Sequence, residues 1–134
     1  MSNPQIPREF TLPIRVRYQE TDAMARLHHA NYLTYFELGR TEMLRAGGVT
    51  YREIEEGGIY LVVAEMAVKY FLPAAYDDQL VLTTRTLTAK GARVRHGYEL
   101  RRGGELLATG ESVIASVDRS GKVVRLPQWL RLEE

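Results

Sequence analysis

The stretch Asn31–Gly48, NYLTYFELGRTEMLRAGG, decides how the rest of the chain is read. Tyr32, Tyr35, Phe36, Gly39, Met43 and Ala46 recur at steps of three and four. That spacing gathers them into a single stripe of an α-helix. Asn31 suits the N-cap, where a side-chain oxygen can accept from a first-turn N–H, and Gly47-Gly48 is a strong stop. A helix with one apolar stripe needs a surface to lie on. The flanking sequence supplies it as strands.

Upstream, residues 10–18 alternate. Phe10, Leu12, Ile14, Val16 and Tyr18 share one face of a half-buried strand, and Pro13, which cannot donate to a ladder, places it at an edge or bulge. Downstream, Thr50 to Glu56 reads as a second short helix closed by Gly57-Gly58. Residues 60–70 form a strand with Tyr60, Val62, Ala64, Met66, Val68 and Tyr70 on one face. Residues 79–89 are rich in Thr, Val and Leu, which suit a pleated surface. In 93–101, Val94, His96, Tyr98 and Leu100 point one way and Arg93, Arg95, Glu99 and Arg101 the other. Gly103-Gly104 predicts a hairpin turn into a long strand at 105–117. A short strand at 122–126 and a terminal helix from Pro127 to Glu134 complete the reading. Long strands joined by tight turns exclude a parallel βαβ design, which needs crossovers. The predicted class is α+β: one long helix wrapped by a curved antiparallel sheet, the hotdog fold. Residues 1–9 are expected to be a flexible lead, and 10–134 a single domain.

Composition bounds the chemistry. The 134 residues suit one domain, and 45% hydrophobic with 26% charged is ordinary globular content. There is no cysteine, which excludes disulfides, a thiol nucleophile and thiolate metal sites. The opening residues lack the apolar run of a signal peptide, and no stretch is long enough for a membrane span. A net charge of +1 argues against a nucleic-acid surface. A cytoplasmic location is expected. No G-x-S-x-G elbow, H-E-x-x-H, P-loop or G-x-G-x-x-G is present. The adjacent pair His28-His29 cannot face one metal from a helix, and no metal site is expected.

What remains is Tyr18 to Tyr32, YQETDAMARLHHANY, where Glu20, Asp22, His28 and His29 precede a helix N-terminus. Free N–H groups and the positive end of the dipole gather there. Such an end can polarise a thioester carbonyl, and a nearby carboxylate can attack it or activate water. Taken alone, the segment is better read as a loop ordered or capped by Asp22, because polar loops before helices are commonplace.

Arg17 to Met24, Asn31-Tyr32 and Tyr35-Phe36-Glu37 resemble the signature of the 4-hydroxybenzoyl-CoA thioesterase-like hotdog family. Arg40 to Arg45, Tyr70 to Ala74 and Asp77-Asp78 are similar to the acyl-CoA thioesterases associated with the Tol–Pal system, and the likeness runs from about Leu12 to Pro127. The resemblance implies an acyl-CoA thioesterase, with coenzyme A as part of the substrate and no separate cofactor. It implies Asp22 as the catalytic carboxylate, a backbone N–H near His29 as oxyanion donor, and a functional role for His29. It implies a homodimer or homotetramer, with the site at the dimer interface and the acyl chain entering between the helix and the strand around Val62 and Val63 of the partner subunit. Asn31 and Tyr32 are then site residues as well as cap and core. From their charge, Lys90, Arg93 and Arg95 are candidates for the CoA phosphates, with a solvated strand face as the slightly favoured reading of each. Relatives usually carry glycine at or next to position 25, and Met24-Ala25-Arg26 departs from that, which predicts a different loop path.

Other residues have competing readings. Glu37 is a backup carboxylate, with an i,i+3 ion pair to Arg40 as the expected role. Glu20 can assist Asp22 but is expected to be solvated. His96 is expected in the core or an interface, and Ser112 forms no triad with it. A hotdog hydratase or dehydratase using His29 and Glu37, and a non-catalytic acyl-CoA-binding module, remain alternatives. Acyl chain length and the choice between nucleophile and general base stay open.

Overall fold

The computed structural model describes residues 4–132. Its elements are β1 (Glu9–Arg15), α1 (Asn31–Ala46), α2 (Tyr51–Glu56), β2 (Tyr60–Tyr70), β3 (Gln79–Lys90), β4 (Arg93–Arg102) and β5 (Glu105–Val117). The strands form one antiparallel sheet in the order β1-β3-β4-β5-β2. α1 lies on its inner face. β1 is an edge strand, so Pro13 sits where a missing N–H is tolerated.

The helix buries Tyr32, Tyr35, Phe36, Gly39, Arg40, Met43 and Leu44. The buried stripe therefore ends on Leu44, and Ala46 is exposed. Each large apolar side chain fully buried there is worth about 1.5–3 kcal/mol. Phe36 stacks on Tyr98 with ring centroids 4.4 Å apart. Close approach to the sheet depends on Gly39. A Cβ there would collide with Thr84 Oγ1 and lie 2.6 Å from Leu82 Cδ2. α2 opens with a reciprocal cap: Thr50 Oγ1 accepts from Glu53 N–H, and Glu53 Oε1 accepts from Thr50 N–H.

The structure corrects several expectations. β1 stops at Arg15, and Tyr18 turns outward into a 3₁₀ turn, 77% exposed. The even-numbered face expected along β2 does not run its length. The pairing with β5 shifts between Val63 and Glu65, and such an irregularity changes which side a residue faces. Leu61 packs on the core before the shift, and Met66 and Val68 after it. Only an isolated bridge, Val117 to Val123, stands in place of a strand at 122–126. The expected terminal helix is one 3₁₀ turn, Gln128–Leu130, and residues 133–134 lie outside the described region. Of the lead expected to be flexible, residues 1–3 are outside it too. Within residues 5–9, Gln5 N–H donates to Gly47 O, Ile6 packs on the core, and Arg8 exchanges hydrogen bonds with the backbone of Thr86.

Candidate active site

The segment between β1 and α1 closes on itself. Thr21 bridges Leu27, Asp22 N–H donates to Arg26 O at 2.8 Å, and Leu27 N–H reaches Ala74 O. Ala25 takes φ 61° and donates its N–H to Asp22 O. It makes the left-handed turn that a glycine would favour, so the loop turns without one.

Asp22 stands exposed on this loop. Its Oδ1 accepts from Met24 N–H at 2.9 Å and Arg26 N–H at 3.2 Å. Those two N–H groups hold the carboxyl below the ordinary aspartate value, with smaller help from His28 and Arg26. Among the described residues no donor meets Oδ2, which leaves that carboxylate oxygen free for chemistry.

The helix start has one unspent donor. Ala30 N–H donates to His28 Nδ1, Asn31 N–H to His28 O, Tyr32 N–H to His29 O and Leu33 N–H to Ala30 O. His28 N–H goes to Glu20 O. His29 N–H meets no protein acceptor among the described residues, and it lies beside the positive end of a helix of 16 residues. Its carbonyl accepts from Tyr70 Oη at 3.0 Å, so the peptide on its far side is held from β2. The rings of His28 and His29 stack. Among the described residues no group of His, Asp and Glu is arranged to hold a metal ion.

Residues 16–132 match the family model described as the thioesterase-like superfamily. The chain belongs to that superfamily. It is 36% identical over 110 residues to the acyl-CoA thioesterase YbgC of Haemophilus influenzae, covering 81% of each chain. It is similar in structure to a probable thioesterase from Bartonella henselae, with TM-score 0.85, 32% identity, and 89% of this chain and 99% of that one covered. It also resembles a DHNA-CoA thioesterase from Staphylococcus aureus, with TM-score 0.84, 29% identity, and 88% and 80% coverage. The hotdog architecture expected from the order of elements is the fold these thioesterases have.

Within this thioesterase-like chain the remaining candidates fall in different places. Asn31 is not the N-cap; Ala30 is, with no side-chain cap. The Asn31 amide instead donates to Glu20 O at 2.9 Å. Tyr32 is buried and meets Tyr70 edge-on. Val63 lines an open cleft of about 260 Å³ between α1 and β2, with Leu33, Thr34, Glu37, Arg40 and Met66. Val62 is exposed but is not among the residues lining it. Lys90 and Arg93 pair across the β3–β4 turn. Asp22's loop lies by Ala75 and Asp78, at the opposite end of β3. Twelve strand residues separate the two ends by roughly 35 Å, so one chain does not bring Lys90 and Arg93 to Asp22.

Two charged residues differ from expectation. Glu20 is buried, not solvated. Burial would raise its pKa, but hydrogen bonds from Arg17 N–H, the Tyr35 hydroxyl and the Arg17 guanidinium outweigh it and keep the carboxyl below the usual glutamate value. The Glu37–Arg40 ion pair does not form. Arg40 is buried under α1, donating to Tyr98 Oη at 3.4 Å, and Tyr98 Oη shares a 2.6 Å hydrogen bond with Ser112 Oγ. A phenol offers the guanidinium an acceptor inside the core, which a solvent-facing Glu37 cannot. His96 lies beside this group in the core, pushed down to about 3 by burial and by the charge of Arg40.

Proposed function

We propose that the protein hydrolyses acyl-CoA thioesters to a free acid and CoA, with Asp22 as the catalytic carboxylate. The observation that carries this is one loop that holds both an exposed Asp22 carboxylate, kept below its ordinary pKa, and the unspent His29 N–H ahead of α1. The membership of the chain in the thioesterase-like superfamily supports it.

The chemistry follows from charge. As the thioester carbonyl is attacked, its oxygen gains negative charge. The His29 N–H and the positive end of the helix dipole stabilise that charge without reorganising. The Asp22 carboxylate adds to the carbonyl carbon, or takes a proton from water as water adds. The C–S bond breaks and CoA leaves as thiolate. In the first case water then cleaves the anhydride and restores Asp22. The acyl group runs into the cleft at Val63 between α1 and β2, flanked by Asn31 and Tyr32. Lys90 and Arg93 meet CoA phosphates from a second copy, and the working form is a homodimer or homotetramer in the cytoplasm. The reaction as drawn uses only these residues and water.

The test is thiol release from a panel of short, long and aromatic acyl-CoAs, wild type beside Asp22→Ala. Release that disappears in the variant supports the reading. Equal release in both overturns Asp22. Release from neither overturns acyl-CoA hydrolysis.

A further inference from the structure

Glu20 is the only buried carboxylate among the described residues, and the chemistry above does not use it. Its carboxylate receives Tyr35 Oη at 2.7 Å and Arg17 N–H at 2.8 Å on Oε1, and Arg17 Nη2 at 3.2 Å on Oε2. Its carbonyl receives His28 N–H and Asn31 Nδ2, each at 2.9 Å. One residue thus joins the end of the β1 segment, the returning arm of the loop, and the first two turns of α1. Asp22 follows it by two residues. His29 follows the anchored His28 by one.

A buried carboxylate is costly unless its donors are in place, and charge-assisted bonds are shorter and stronger than neutral ones. An apolar residue here would leave the Tyr35 hydroxyl and the Arg17 N–H without their acceptor. The arrangement ties a surface loop, otherwise held by backbone bonds, to the first two turns of α1.

We infer that Glu20 and Tyr35 form a positioning pair that fixes the separation between the Asp22 carboxylate and the His29 N–H. This inference rests on the thioesterase reading of that site. Neither residue touches the substrate; both act through the loop. A nucleophile and an oxyanion donor displaced by about 1 Å lose roughly a hundredfold in rate, so the pair governs turnover more than affinity.

The experiment compares wild type, Tyr35→Phe, Glu20→Gln and the double variant. Tyr35→Phe deletes one hydroxyl and keeps the ring in the core, so the fold is retained. The expected result is a kcat lowered by roughly 10- to 100-fold in each single variant, with KM within about twofold. The double variant should lose no more than the worse single one, as groups acting as one unit do. Hydrogen exchange at His28 N–H should accelerate in both single variants, while exchange in β4 stays as in wild type. A kcat within twofold of wild type in both variants overturns the inference, as do fully additive losses. Absence of thiol release from wild type would overturn the thioesterase reading instead. Exchange at His28 then decides the clamp by itself: faster exchange supports it and unchanged exchange removes it.

Discussion

Asp22 is held by two backbone N–H groups on one oxygen, while among the described residues no donor meets the other. Asp22→Asn preserves the acceptor for Met24 and Arg26, so the loop should keep its shape. The variant loses the ionised oxygen and, with it, at least ~100-fold in kcat/KM, the usual scale for a general acid or base. Circular dichroism and the melting temperature should match wild type; a turnover near wild type would remove Asp22 from the mechanism. The pH dependence follows from the direction of its shift. Because the folded carboxyl lies below the ordinary aspartate value, the active ionised form persists in mild acid. The acid limb of kcat/KM should fall below pH ~4. A limb centred near pH 6 would point to histidine. Three residues on, Ala25 holds a left-handed φ of 61°. That geometry costs a non-glycine residue ~1–2 kcal/mol, and glycine gives back ~0.4–1 in unfolded-chain entropy. Ala25→Gly should therefore raise the melting temperature slightly; a drop would show that the turn is unstrained.

The contact between α1 and the sheet carries its own sign test. Gly→Ala within a helix ordinarily stabilises by ~1 kcal/mol. At position 39 the new methyl would strike Thr84 and Leu82, and overpacking costs ~1–3 kcal/mol. The collision wins, and Gly39→Ala should lower stability in urea denaturation. Beneath the same helix, His96 is pushed down to about 3. In the unfolded chain it titrates near 6.5, so between these values the unfolded state binds the extra proton. Stability attached to neutral His96 is full above pH ~6.5 and is lost as pH falls toward 3. His96→Phe should flatten that decline in stability between pH 6.5 and 4, and an unchanged decline would free His96 of the role. These elements also show what could be read from the chain beforehand. Period-two and period-three-four patterns depend on neighbours along the sequence, so α1, β4 and the Gly103-Gly104 turn were all legible. The shift at Ala64 was not, because apolar residues occupy both parities of 59–64 and the first charged marker, Glu65, comes only after the shift. The burial of Glu20 and Arg40 was hidden for another reason. Their partners, Tyr35 and Tyr98, lie 15 and 58 residues away, and a hydroxyl waiting in a core leaves no local signal. Asp22 stood out only through the family resemblance of its loop.

At the scale of the molecule, β2 is the unresolved demand of the fold. It ends the sheet opposite β1, and its Val62 and Val63 are 42% and 51% exposed, with Tyr70 and Phe71 at 48% and 53% at the other end of the strand. A long apolar edge with free backbone groups is a template for another strand. A second copy related by a two-fold axis would pair β2 with β2, cover these side chains, and close the cleft at Val63. This is the assembly we expect, and sedimentation at micromolar concentration should show a dimer or tetramer. In a two-fold pairing the same residue appears on both copies near the axis, so a charge placed there meets its like. Val62→Lys should shift the protein toward monomer, and turnover should fall with it if the cleft needs the second chain. A wild type that sediments as a clean monomer while hydrolysing thioesters would mean that the cleft is complete in one chain. Lys90 and Arg93, at the far end of β3, would then have no route to the substrate.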